Sequence, residues 1–465
     1  MRRFGWRWFA VSSLVIAALS AMAETRPQYG GVLHVAMRAA PTSLDPVELD
    51  PATLDPAKNA EPDSFAQYGL TMLMFDTLVV TDENGRIQPR LAMSWQASPG
   101  TQRRQFRIRR GVKFHDGTPL TAETAAASLR AANPSWNVST DADTVAIEYS
   151  KSDSELLVEL ALPRNAILKA NPGGAPSGTG PFHVVDWQPG KKLSLAAEEN
   201  CWRGRPFLDA IEIEMGKNFR DQMTALELGK SDLVEVAPEQ SHRISPQGRQ
   251  LVSSAPLELL ALFFTRDAAS PEEKLLREAL ALSVERGSIR SVLLQGAGQP
   301  AAGILPNWMS GYGFVFSTDA DLSRARHTRE QVRTVPTWTL GYDGSDPVAR
   351  VLAERIALNA RDAGLLLQPT SGPTADLRLL RIPLAPDPWL ALANVASLAG
   401  TSLGKEGVAA EDLYAAELAL LGTRRIVPLF HLPVSYAASA NLKNWTLRAD
   451  GGWTLEDAWM GNGKP

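Results

Sequence analysis

Three groupings in this chain have residue types and spacings that could do chemistry. Gly400-Thr401-Ser402-Leu403-Gly404 has the G-x-S-x-G form of an exposed nucleophilic serine, and Asp412 and His431 follow in hydrolase order. Such an elbow needs a strand running into the serine and a helix leaving it, whereas Ser402 lies in a Gly/Ser-rich stretch read as a loop. Gly296-Ala297-Gly298-Gln299-Pro300-Ala301 copies the G-x-G-x-x-A spacing that admits a pyrophosphate. That fingerprint must follow a strand and open a helix; here it follows a helical stretch and runs into Pro300 and Gly303, which indicates a loop. The six histidines (His34, His115, His183, His242, His327, His431) show no i,i+3 or i,i+4 pairing and no Cys or carboxylate company at ligand spacing. No metal site and no cofactor is expected from them. His115, in the Phe-His-Asp-Gly turn, is expected to bond locally. The single cysteine, Cys201, excludes an internal disulfide and reads as a small buried hydrophobe.

The N-terminus has the layout of a secretory signal. Arg2, Arg3 and Arg7 precede an apolar run from Phe9 to Leu19, and Ala21-Met22-Ala23 is a small-residue cleavage site. The run is shorter than the ~20 residues a bilayer requires. The Arg2-Arg3 pair lacks the flanking residues of a twin-arginine signal, and no cysteine stands at the cleavage point for a lipid anchor. Residues 1–23 are therefore expected to be removed, leaving a soluble periplasmic protein. The formal charge is −4, more negative once three arginines leave, which argues against nucleic acid or an anionic membrane as partner. About 440 mature residues exceed what one core accommodates, so two or three lobes are expected.

The elements that must position any site follow from local patterns. Phe106 and Ile108 alternate with Arg107 and Arg109 as in a half-buried strand; Asp116-Gly117 makes a turn; Thr121 is an N-cap with Glu123 in the first helical turn. Leu257–Phe264, apolar apart from Glu258, reads as a buried strand. Ser270-Pro271-Glu272-Glu273 is a complete helix start. Thr337–Tyr342, a helix capped by Asp346-Pro347 and ending at Gly364, and Leu365–Gln368 make a βαβ unit, so a mixed sheet covered by helices is expected. Leu44-Asp45-Pro46, Leu49-Asp50-Pro51 and Leu54-Asp55-Pro56 are turn-forming and read as an irregular loop.

The segment Gly111–Ala122, GVKFHDGTPLTA, resembles almost word for word the corresponding segment of the family 5 extracellular solute-binding proteins, the oligopeptide, dipeptide and nickel receptors of bacterial ABC importers. The resemblance continues collinearly through Phe75–Val79, Leu91–Trp95, Gly178–Pro181, Asn200–Pro206, Arg277–Arg286 and Trp453–Met460, and is weakest from Gly311 to Pro336. It implies an α/β, periplasmic-binding-protein type II-like fold: two lobes with mixed sheets around a cleft, plus an inserted third subdomain. Lobe I is expected to comprise 24–62, 171–258 and 426–465, the insertion 63–170, and lobe II 259–425. The implied function is a monomeric receptor that delivers a small, peptide-like solute to an inner-membrane ABC permease without catalysis. Two other readings stay open: a secreted serine hydrolase using Ser402, and a sensor on the same fold uncoupled from transport.

The resemblance also places the ligand window at Asp376–Gly400. In peptide-binding relatives an Asp there pairs with the peptide's α-ammonium group; aligning Asp387-Pro388 puts Leu384 at that position. A missing carboxylate forfeits a charge-assisted bond of roughly 1.5–3 kcal/mol. Either Asp387 substitutes, or the register differs, or the ligand lacks a free amine. Asp387 is also a natural N-cap, and Trp389 is either a pocket wall or core. Arg378 falls where relatives can carry a ligand-contacting Arg. It and Arg381, interleaved with Leu379, Leu380 and Ile382, are the remaining candidates, with a solvated strand face as the alternative reading.

Overall fold

The nearly unbroken apolar run Leu257–Phe264 is what a strand covered on both faces requires. In the computed structural model it is the second half of a long strand, Gln250–Phe264. Leu259, Ala261 and Phe263 enter a core with Ile304, Trp389 and Val395. Leu260, Leu262 and Phe264 alternate to the opposite face and pack with Leu276, Leu340 and Ile356. The structure describes residues 26–49, 65–82, 85–98, 103–149, 153–171, 174–244, 249–313, 315–403, 407 and 409–461. The expected signal segment, Asp50–Lys58 of the Leu-Asp-Pro stretch, and Gly404 lie outside the described residues.

The long strand pairs antiparallel with Leu377–Pro383 on one side and with Ile426–Ala438 on the other. Outside Leu377–Pro383 lie Thr337–Gly341 and Leu366–Thr370, both parallel to it, joined by the helix Pro347–Asp362 as the βαβ pattern predicts. Outside Ile426–Ala438 the sheet continues through Leu233–Val236, Val32–Ala36, Ala210–Glu214, Lys192–Ala197 and Phe182–Gln188. One mixed sheet thus runs through two lobes. The first lobe's core contains Leu33, Phe182, Leu195, Ile211, Tyr436 and Trp453. Where the long strands pass between lobes, Pro256 stands opposite Pro433 and the register shifts between Ser253 and Glu258. Proline has no N–H to give, so the ladder is interrupted at the crossing. Along Ile426–Ala438, Ile426 and Phe430 pack with Leu259 and Leu260 of the long strand, while Tyr436 and Ala438 pack with Leu33 and Ile211.

The inserted subdomain is a four-stranded antiparallel sheet, Ala92–Ala97, Arg103–Ile108, Thr144–Glu148 and Asn137–Asp141, backed by the helix Ala122–Ala132. Phe106, Ile108, Leu129, Val145 and Ile147 fill its core. Thr121 caps the helix through a reciprocal box with Thr124, at 3.2 Å and 2.9 Å, while Glu123 engages Arg130 and Thr140.

His115 departs from the local role expected of it. Its Nε2 bonds Gly180 O at 3.0 Å and its Nδ1 accepts from Gly178 N at 3.3 Å, clasping the subdomain to the first lobe. The glycines of that strap are there for space: a Cβ on Gly178 would stand 1.9 Å from Met74 O. A second tie is ionic. Fully buried Asp76 accepts from Arg90 Nε at 2.7 Å, Thr179 Oγ1 at 2.9 Å and Trp202 Nε1 at 3.0 Å, and Arg90 also reaches Glu456 at 2.9 Å.

Candidate ligand-binding cleft

In an open α/β sheet the loops and helix N-termini that leave the strands' carboxyl ends form the natural crevice. In the first lobe, Val32–Ala36 ends just before Arg38, Leu233–Val236 just before Glu239, and the chain after Ala210–Glu214 reaches Phe219. In the second, Thr337–Gly341 ends just before Asp343, and Asp346 caps the next helix by accepting from Val348 N at 2.9 Å. These ends meet. Arg38 Nη2 lies 3.8 Å from Asp343 Oδ2 across the lobes, and its guanidinium sits 4.3 Å from the centre of the Phe219 ring. The Arg381 guanidinium approaches the same ring from the second lobe, at 5.8 Å.

Carboxylates surround both arginines. Arg381 Nη1 donates to Glu258 Oε2 at 3.0 Å, and its Nη2 lies 3.8 Å from Asp346 Oδ2. The Arg38 amide donates to the Glu235 carboxylate, whose own amide donates to Gln222 Oε1 at 2.8 Å. Among the described residues the Arg38 guanidinium thus faces Asp343, and the Arg381 guanidinium faces Glu258 and Asp346. Burial works against charging Arg381, but Glu258, Asp346 and Glu239 more than offset it, and the guanidinium is held firmly protonated. Burial pushes the Glu239 carboxyl up, against the pull of Arg381 and Arg38.

Of the residues singled out in the sequence, Arg381 is the one in this cluster. Asp387 caps the helix Pro388–Leu398, accepting from Leu390 N at 2.8 Å, and lines a cavity of about 440 Å³ with Leu162, Trp308, Pro386 and Arg448. Trp389 is buried among Leu392, Val395 and Ile304. Arg378 lies near the opposite end of its strand, donating to Pro373 O. Leu384 is buried in the same core as Trp389, its amide donating to Leu257 O at 2.7 Å. Arg38, Phe219, Glu239 and Asp343 were not singled out. Their one signal was position, a few residues past a strand end, and only the fold shows which ends converge.

The hydrolase arrangement does not form. A helix, not a strand, leads into exposed Ser402; Asp412 is exposed. His431 is buried with Nε2 3.0 Å from Ile304 O, and burial pushes its imidazole down to about 4. Pro300, within the Gly296–Ala301 stretch, pairs as a short strand with Phe430 instead of opening a helix. Cys201 is half-buried, with burial raising its thiol.

Residues 86–379 match the family model described as bacterial extracellular solute-binding proteins, family 5 Middle. The chain belongs to this family. Among curated members, the nickel-binding protein NikA of Staphylococcus aureus is 26% identical over 241 residues, 49% of each chain. The oligopeptide-binding protein AppA of Bacillus subtilis is 26% identical over 307 residues, 59% of this chain and 54% of its own. The chain thus spans about half the length of the curated family 5 relatives it matches. Solved family structures agree over far more of the fold. AppA of B. subtilis, in complex with a nonapeptide, superimposes with a TM-score of 0.78 at 18% identity, covering 94% of this chain and all of that one. NikA of S. aureus with Ni(L-His)2 gives 0.76 at 18% identity over 90% of this chain and 97% of its own. The fold is therefore the mixed α/β, type II-like architecture of periplasmic binding proteins.

Proposed function

We propose that this chain is the periplasmic solute-binding receptor of an ABC importer, holding a small peptide-like solute between its lobes and presenting it to an inner-membrane permease. The observation that carries this reading is the convergence of strand carboxyl ends from both lobes on Arg38, Phe219, Asp343 and Arg381. The lobes are joined by two strands whose ladder is broken at Pro256 and Pro433, which gives a place to bend. A solute that contacts both lobes binds the closed form better than the open one and shifts the population toward it; the closed pair of lobes is then the surface a permease reads. Arg38–Asp343 and the Phe219 ring shared by two guanidiniums are contacts that exist only when the lobes are together.

Arg381 is a residue of this cleft, and Asp387 lines the cavity with Trp308 and Arg448. Arg378 and Trp389 are read as support for the second lobe. Residues 1–23 are read as the secretory signal, and the receptor acts as a monomer. Native mass spectrometry of protein purified from the periplasm is expected to show a species heavier by one bound solute, and small-angle scattering a larger radius of gyration once that solute is stripped. Identical mass and identical radius before and after unfolding and refolding would defeat the receptor reading.

A further inference from the structure

The second lobe holds a cavity of its own, of about 370 Å³, with every lining residue between Glu278 and Pro428. It shares no lining residue with the cluster of Arg38, Phe219, Asp343 and Arg381, or with the cavity that Asp387 and Trp308 line. Ala281, Leu421 and Val427 make its walls apolar, and Val315 and Leu418 line it while each stays 49% exposed. One wall, from Val315 to Arg324, belongs to the stretch Gly311–Pro336 where the family resemblance is weakest. Its Phe316 ring is held 5.8 Å from the ring of Tyr414.

Arg286 lines this cavity and is only 4% exposed. Its guanidinium donates to carbonyls alone: Nε to Ala301 O at 2.9 Å and Pro428 O at 3.2 Å, Nη1 to Ala281 O at 3.3 Å and Val284 O at 3.4 Å, and Nη2 to Pro428 O at 2.8 Å. Nη2 carries two N–H groups, so one of them has no acceptor among the described residues. Buried Arg277 has Glu273 at 2.6 Å, whereas Arg286 forms no ion pair among the described residues. Burial pushes its guanidinium down to about 10, and it stays charged at neutral pH. The other charges of the cavity do not cancel it. Arg324 and Arg424 share Glu278, at 2.9 Å and 3.1 Å, and exposed Asp319 is the remaining acid, so three guanidiniums meet two carboxylates. A buried cation without a counter-charge is costly.

We propose that this cavity is a second ligand site, distinct from the cleft, which takes a small organic monocarboxylate with an apolar body. The carboxylate meets Arg286, and the body lies against Phe316, Leu421 and Val427. A carboxylate supplies the missing acceptor and the missing negative charge together, in a charge-assisted bond. A neutral amide satisfies the N–H but leaves the charge unbalanced. A small bare anion balances the charge but leaves the apolar walls in water. A cation is opposed by the excess of guanidiniums. The proposal goes beyond the receptor reading and does not depend on it.

The probes are benzoate and hexanoate, with benzamide and hexanamide as uncharged counterparts and acetate as the carboxylate without a body. Binding to the purified protein at neutral pH is detected by saturation-transfer NMR and titrated for affinity. The variants are Ala302→Phe, which sends a ring into the cavity from a half-buried wall position, and Arg286→Gln, with thermal melting as the folding control. The wild type is expected to bind benzoate or hexanoate at least about tenfold more tightly than the matching amide or acetate, and each variant to lose about tenfold or more. Binding that Ala302→Phe leaves undiminished would place the acid elsewhere, the cleft included, and overturns the proposal. Amides or acetate binding as well as the two acids, or no binding of either acid, also overturns it. None of these results touches the receptor reading, which rests on the cleft. Arg286 ties down the carbonyls of Ala301 and Pro428, so should Arg286→Gln fail to fold, Ala302→Phe and the acid–amide comparison decide.

Discussion

Replacing Arg381 by Leu removes a cation that holds two buried carboxylates of the cleft. Its Nη1 stands 3.0 Å from Glu258 and its Nη2 3.8 Å from Asp346, and the side chains of these acids are only 11% and 9% exposed. Removing one member of a buried ion pair leaves the other charge uncompensated, at a cost of about 3–5 kcal/mol. For a folding unit of 150–250 residues that corresponds to a fall in melting temperature of roughly 6–20 °C. Arg381→Lys should fall between, because a point-like ammonium engages one acid well and loses the planar fork. The assay is thermal unfolding followed by circular dichroism on the two single variants and on Arg381→Leu combined with Glu258→Gln. Since the second change removes the more closely held of the two stranded charges and leaves Asp346, the double variant should recover part of the loss, a positive coupling in the cycle. A drop below about 2 °C for R381L, or additive losses in the double variant, would refute the buried-pair argument.

Other consequences follow from the ties between subdomains and from the serine motif. Burial alone would raise the Glu456 carboxyl, but Arg90 and Arg203 more than offset it and hold it at about 2 against an ordinary 4.5. A group depressed in the folded state stabilises above its unfolded pKa, so Glu456 contributes on the order of 3 kcal/mol above about pH 4.5, lost as the pH falls toward 2; an acid titration of stability that is unchanged in Glu456→Gln would contradict this. Gly178→Ala pushes a methyl against Met74 O and should cost roughly 3 kcal/mol or more, whereas Gly287→Ala, which meets nothing within 4 Å, should be neutral or slightly stabilising; melting temperatures decide. Ser402→Ala should leave solute retention untouched and stability within ~0.5 kcal/mol, and loss of a measured esterase activity would revive the hydrolase reading.

How far the chain could be read without its fold varies by element. Ser270 and Thr121 were recognisable as helix caps because capping is settled within four residues, and both accept the expected amide. The βαβ unit at 337–370 was legible from its periodicity and its Asp346-Pro347 start. His115 was misread because its partners, Gly178 and Gly180, are more than sixty residues away. In the window 376–400 the distinction among candidates was invisible: Arg378 and Arg381 look alike in sequence, yet one ends on a neighbouring carbonyl and the other in an ion cluster. Strand pleating gives the face a side chain takes, and position along the strand gives its distance from the crevice; neither shows what stands opposite.

By itself the sequence determined the family, the class of fold and the local starts and stops of its elements, because motif order, apolar periodicity and caps are encoded over short spans. Which charges share the cleft was decided only by tertiary structure. Arg38, Phe219, Glu239, Asp343 and Arg381 come from five separate stretches of chain, and sheet order and the crossing of two long strands bring them together. Their pairing depends on ångström distances between segments far apart in the chain, a scale on which local pattern carries no information.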